Sequence, residues 1–246
     1  MLYEDEHLLA VNKPPGLLTC PDRYDATRPN LMKLLHAGIS EKKPWAVEHG
    51  LSYLSNAHRL DFDTSGVLLL AKTKPALVQL ANMFGCEKPQ KTYVAIVAGT
   101  PPEPEWEINA PLAPHPARPG LMRVDPNNGK QSRTRFRTRE SFRGYTLVEC
   151  RPLTGRTHQI RAHLRHSNLP ICGDSNYHGK KLFLSDLKDN YRLKEGKTER
   201  PLISTTALHA EELVLPHPIT GVEVKITAPW PKDLLVALRY LQRHAL

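Results

Sequence analysis

The run Val67-Leu68-Leu69-Leu70-Ala71 constrains the fold more than any other stretch of the chain. An apolar run without alternation, bounded by polar turn residues, suits a strand buried on both faces. Directly ahead of it, residues 58–66 read His-Arg-Leu-Asp-Phe-Asp-Thr-Ser-Gly. The mouth of a buried strand therefore carries a basic pair, two carboxylates and two hydroxyls. Polar groups in such a place are costly unless something binds them or reacts with them.

Around this strand the pattern predicts short elements in irregular order. Residues 8–12 read as a strand stopped by Lys13-Pro14-Pro15-Gly16, and residues 31–35 as a helical piece ahead of Gly38. A helix opens at Pro75, repeats Leu77, Leu80, Ala81 and Phe84 on one face, and ends at Gly85. Residues 91–97 read as a strand. Residues 101–120, rich in proline, read as a loop-rich excursion and a candidate hinge. Residues 133–139 and 145–150 read as a hairpin turning at Arg143-Gly144. Thr157 to His166 reads as a helix, residues 179–201 as an exposed charged loop, residues 206–215 and 222–228 as strands, and residues 231–244 as a terminal helix. Hairpins with scattered helices point to an α+β fold: a mixed, mostly antiparallel bent β-sheet with flanking helices, in one domain over residues 1–246.

The formal charge is +9, which favours a polyanionic partner such as nucleic acid. Cys20, Cys86, Cys150 and Cys172 form no Cys-x-x-Cys pair, so neither a zinc ribbon nor a disulfide framework is expected. The N-terminus is acidic where a signal peptide is basic, and no apolar run approaches the ~20 residues that span a bilayer. A reduced, cytoplasmic protein is expected.

Two basic clusters carry the charge. Arg133, Arg135, Arg137 and Arg139 alternate with Thr134, Phe136 and Thr138. Alternate residues of a strand share a face, so the four guanidinium groups form a ladder suited to a phosphate backbone, or else a plain solvated face. The second cluster, residues 151–166, holds Arg156, His158, Arg161, His163, Arg165 and His166. A helix would place His158, Arg161 and Arg165 opposite Ile160 and Leu164. The histidines lack the i, i+4 spacing of zinc helices and have no carboxylate among them, so a basic surface for RNA, or an arginine reaching a buried acid, is preferred to a metal.

The 58–66 segment itself admits three readings. Asp63, Thr64 and Ser65 can make a hydrogen-bonded turn before Gly66. An Asp-x-Asp pair can belong to a metal-dependent phosphohydrolase, but here Ser65 stands at the hydroxyl position and no apolar strand precedes it. A single aspartate can serve as nucleophile or electrostatic group beside a flipped base.

The order of motifs along the chain narrows these. Leu9-Ala-Val-Asn-Lys-Pro-Pro-Gly16, His58-Arg-Leu-Asp-x-x-Thr-Ser-Gly66, Lys91-x-Tyr93-x-Ala95, Gly155-Arg-Thr-His-Gln-Ile-Arg-Ala-His163 and Leu208-His209-Ala210 together resemble the RluA-type pseudouridine synthases. The resemblance implies an isomerase that detaches uracil from C1′ of selected uridines in structured ribosomal or transfer RNA, rotates it and rejoins it through C5, without cofactor or metal. By position it makes Asp61 the catalytic aspartate, Tyr93 the tyrosine stacked on the base, Arg161 the arginine paired with that aspartate, and Leu208 the apolar residue on the other face of the base. Arg59 matches the basic side chain that fills the place of the flipped nucleotide, and His58, His158 and Arg156 lie beside it in the substrate-binding motifs. A non-catalytic RNA-binding protein would have no need of Asp61, Tyr93 and Arg161 together.

Many members carry an N-terminal S4 RNA-binding module. Here eleven residues precede Asn12, so RNA contact is expected from the arginine ladder and residues 179–201. A monomer without an obligatory protein partner is expected.

Overall fold

The computed structural model describes residues 1–22, 25, 27–194 and 196–246. In chain order it contains β1 (Tyr3–Glu4), β2 (Leu8–Lys13), α1 (Leu31–Ser40), α2 (Pro44–Glu48), β3 (Ser55–Asn56), β4 (Ser65–Ala71), α3 (Lys74–Gly85), β5 (Gln90–Ala98), β6 (Glu105–Asn109), β7 (Leu112–Pro114), β8 (Met122–Val124), β9 (Arg133–Phe142), β10 (Tyr145–Pro152), α4 (Gln159–His166), β11 (Leu208–Pro216), β12 (Glu223–Thr227) and α5 (Lys232–His244). Short 3-10 turns lie at Ser175–Tyr177 and Leu184–Asp186. This is the α+β class expected from the sequence. The chain forms two compact units, one of Met1–Lys91 with Ala210–Pro229 and one of Thr92–His209 with Trp230–Leu246.

In the first unit the strand order is β1-β2-β4-β11, with β12 beside β11 and β3 beside β4. Strand β2 runs antiparallel to β4, with Leu8 opposite Ala71 and Lys13 opposite Gly66. Every residue of β4 is buried, as its uninterrupted apolar run requires. Leu68, Leu69 and Leu70 have no exposed surface, and each contributes about 1.5–3 kcal/mol relative to an exposed side chain. Helix α3 turns Ala76 and Leu80 to this core, and the Thr73 hydroxyl caps it by accepting from the Ala76 N–H at 3.4 Å.

The second unit contains the order β5-β10-β9-β6 and a separate β7–β8 hairpin. Strands β9 and β10 pair antiparallel around Gly144, whose φ of +78° suits glycine at the turn. In β9 the alternation is as expected: Arg133, Arg135, Arg137 and Arg139 face solvent while Thr134 and Phe136 are buried. Helix α5 closes the core with Leu234, Ala237 and Leu241.

Several expectations need correction. Gly38 does not end α1, which runs to Ser40. A Cβ there would lie 2.3 Å from the Trp45 ring, so this glycine admits an indole and does not break the helix. Residues 101–120 contain β6 and β7, and the unit division falls at Lys91/Thr92 instead. Pro104 and Pro111 flank β6, and Pro114 stands at the end of β7, so no proline interrupts a strand interior. Within residues 179–201, Leu182 and Leu187 are buried anchors of the second core, so the segment is not wholly exposed; Glu195 lies outside the described residues. Among the described residues, no helix is long and apolar enough to cross a membrane.

Candidate active site

The first unit builds the turn that bears Asp61. Thr19, 2% exposed, brackets Leu60: its hydroxyl donates to the Leu60 carbonyl at 2.9 Å and accepts from the Leu60 N–H at 3.1 Å. The Thr64 N–H closes the turn on the Asp61 carbonyl at 3.2 Å. Lys13 lies beneath it with no exposed surface, and its ammonium donates to the carbonyls of Pro14 (2.8 Å), Leu17 (2.7 Å) and Phe62 (3.2 Å). Burial lowers the Lys13 pKa to about 8, against the pull of the Asp61 and Asp63 carboxylates, which favour its charge. Asp61 is half-buried and Arg59 is exposed.

Gly66 has a φ of +114°, and a Cβ there would lie 2.1 Å from the Ala210 carbonyl oxygen. The turn therefore needs glycine for backbone reasons at the point where β4 meets β11. His58 is tied into the same frame. Its Nε2 accepts the Leu69 N–H at 2.9 Å, and its ring stacks on Phe84 with centroids 4.5 Å apart. Burial foremost, and Lys91 second, press its pKa down to about 3, so the imidazole is neutral. The structure gives His58 a framework contact that the sequence reading did not foresee.

The second unit holds Tyr93, Arg161 and Leu208. Tyr93 sits on β5 opposite Cys150 of β10 and is half-buried. Leu208, at the start of β11, is 4% exposed. Arg161 is buried on α4 and makes a two-point pair with Asp174, Nε–Oδ2 at 2.7 Å and Nη2–Oδ1 at 2.9 Å. Its guanidinium also lies over the Tyr177 ring, 4.8 Å from the centroid. The Tyr177 hydroxyl accepts the Met122 N–H at 2.9 Å and meets His158 Nδ1 at 2.9 Å.

This arrangement overturns the expected helix face. His158 has φ 52° and ψ 22°, a left-handed residue ahead of α4, and it points to Tyr177. Gln159 to Leu164 are all buried, because the short helix is covered by other elements on every side. Its contacts include β8, β9, β10 and the turn at Ser175–Tyr177. His163 has no exposed surface; its Nε2 faces the Ala110 carbonyl at 3.0 Å and its Nδ1 meets the Thr134 hydroxyl at 2.9 Å. Because the carbonyl only accepts, Nε2 carries the proton and Nδ1 accepts. Gln159 anchors the preceding loop by accepting the Arg156 N–H at 3.0 Å, and exposed Arg156 donates from Nε to the Gln131 carbonyl at 3.0 Å.

Asp174 and Tyr177 were not singled out from the sequence. Two glycines nearby were the available signal: a Cβ at Gly173 would lie 2.2 Å from the Thr205 carbonyl oxygen, and one at Gly179 would lie 1.8 Å from that of Ile171. Such close backbone approach marks a tightly folded turn that presents both side chains.

The arginine ladder is neutralised in part by its neighbours. Glu107 pairs with Arg133 (3.6 Å) and Arg135 (2.9 Å). Glu149, nearly buried, pairs with Arg137 (2.7 Å), Arg139 (2.8 Å) and Arg151 (2.8 Å). The guanidinium groups lower the Glu149 pKa despite its burial, which alone would raise it. Among the described residues, no group of three His, Cys, Asp or Glu side chains is placed to hold a metal ion.

Comparison with known proteins agrees with the motif order. Residues 7–166 match the family model described as RNA pseudouridylate synthase. The chain is 36% identical to ribosomal large subunit pseudouridine synthase D of Xylella fastidiosa, over 97% of this chain and 69% of that protein. It is likewise 36% identical to ribosomal large subunit pseudouridine synthase C of Escherichia coli, over 98% of this chain and 70% of that protein. It thus spans roughly two thirds of the length of such relatives. Among solved structures, human RNA pseudouridylate synthase domain containing 4 shares the fold with a TM-score of 0.72 at 24% identity, over 98% of this chain and 92% of that one. The chain belongs to the RNA pseudouridine synthase family, whose members isomerise uridine in RNA to pseudouridine.

Proposed function

We propose that this protein converts specific uridines of structured RNA, most simply ribosomal RNA, to pseudouridine by an aspartate-dependent, cofactor-free reaction on a flipped base. The relatives named for the ribosomal large subunit support that substrate class. Asp61 is the reactive carboxylate. It either adds to C6 of the uracil or attacks C1′ of the ribose; both routes break the C1′–N1 bond and form a C1′–C5 bond, with the proton lost from C5 and N1 left protonated. Arg161, by its place in the family's motif, is the residue that orients that carboxylate. Tyr93 and Leu208 clamp the two faces of the uracil, and Arg59 occupies the space it leaves. His58, His158 and Arg156 belong to the loops that bind the substrate. The protein works as a cytoplasmic monomer.

The observation that carries this reading is the buried Arg161, whose guanidinium is fixed by Asp174 and Tyr177. A buried cation so tightly positioned suits a residue whose task is orientation. The test is Asp61→Asn. Folding and RNA affinity should stay near wild type while pseudouridine formation, read by primer extension after carbodiimide modification, disappears. Product formed at the wild-type rate would sink the assignment.

A further inference from the structure

Within the second unit a groove of about 370 Å³ opens between the β7–β8 hairpin, the C-terminal turn of α4 and the turn at Ser175–Tyr177. Its charged lining is basic: Arg118, Arg123 and Arg165, with His115, His166 and His178. No carboxylate lines it. Asp125, just beyond, is nearly buried; it accepts from Arg123 at 2.8 Å and from the N–H groups of Asn127 and Asn128.

A helix C-terminus attracts cations, which alone would account for Arg165 and His166. It does not account for Arg118, Arg123, His115 and His178, which come from other segments and converge on the same space. His178 does so with a φ of +66°, a conformation unusual for a residue with a side chain. The contrast with the β9 ladder is direct. There Glu107 and Glu149 face the arginines, whereas here only Arg123 meets a carboxylate in the described ion pairs of the lining arginines.

We infer that this groove binds the phosphate backbone of the RNA substrate. The inference rests on the proposed function for the identity of the RNA. Guanidinium groups take phosphate oxygens, and the three histidines and the side-chain amides of Asn168 and Asn176 add ring faces and donors for sugars or unstacked bases. Tyr177 connects the groove to the site, because it lines the groove and its ring carries the Arg161 guanidinium.

The experiment uses the full chain and a transcribed fragment of large-subunit ribosomal RNA, with affinity followed across salt concentrations. Arg118→Ala/Arg165→Ala should weaken binding at least tenfold, reduce the slope of log affinity against log salt by about 2, and raise KM with kcat unchanged. Arg118→Glu, on an exposed loop, provides the same test without touching the helix. Unchanged affinity and slope in both variants would overturn the inference. So would an acidic polypeptide that binds the wild type but not the variants and leaves RNA affinity unchanged, since the groove would then be a protein-docking face. Absence of pseudouridine with the wild-type protein defeats the proposed function instead, and leaves the binding result to decide the groove.

Discussion

The Arg161 guanidinium and the Asp174 carboxylate meet at two points, 2.7 and 2.9 Å, with side chains only 6% and 1% exposed. A pair this buried differs from a surface ion pair, because each charge has lost its water. Removing one partner leaves the other uncompensated. Asp174→Ala should therefore destabilise the protein by about 3–5 kcal/mol, measured as the shift in urea unfolding free energy. Activity should fall further than the folded fraction does. Replacement by Glu should recover stability better than activity, because the longer side chain moves the guanidinium.

Lys13 predicts a stability change with a defined pH dependence. Lys13→Met orphans three carbonyls that its ammonium now satisfies, at a cost of about 1–3 kcal/mol for each one left without water. The folded pKa of about 8 lies below the unfolded value of 10.5, so between these limits the unfolded chain holds more protons. Wild-type stability should rise from pH 8 to 10.5 relative to the variant. Parallel curves over that range would show that the ammonium is not buried in solution.

His58 has the same sign in the acid range. Its pKa is about 3 when folded against 6.5 when free, so protonation favours the unfolded chain as pH falls from 6.5 toward 3. The stability advantage of wild type over His58→Gln should shrink across that interval and be constant above it. Thermal unfolding at half-unit pH steps measures this. An advantage that grows on acidification would place the imidazole in a charged, solvated setting.

The ladder yields an ordering. Its arginines must release Glu107 or Glu149 before they reach a phosphate. Arg135→Ala/Arg137→Ala should therefore cost less RNA affinity than Arg118→Ala/Arg165→Ala, in filter binding at matched salt. The reverse order would make β9 the principal RNA surface. Stability should change by less than about 1 kcal/mol for exposed Arg135, as for most surface pairs.

Much of the local structure was legible because period and punctuation suffice for it. The run 67–71, the alternation of β9, the Pro75 start and Gly85 end of α3, and the Gly144 turn all follow from neighbours in sequence. The motif order likewise placed the family. The errors arose where a distant residue decided the outcome. Gly38 looked like a stop until Trp45 explained it, and 158–166 looked amphipathic because a helical wheel does not know that β8, β9 and β10 cover the other face.

The sequence by itself determined which residue types stand at Asp61, Tyr93, Arg161 and Leu208, and in what order. Tertiary structure alone decided how Asp61 and Arg161 are held. Lys13 reaches Phe62 across 49 positions and Thr19 reaches Leu60 across 41, while Asp174 and Tyr177 reach Arg161 and Met122 across turns with no periodic signal. Local pattern encodes the energy of single elements. The positioning of a charge depends on partners that only chain folding brings within hydrogen-bond range.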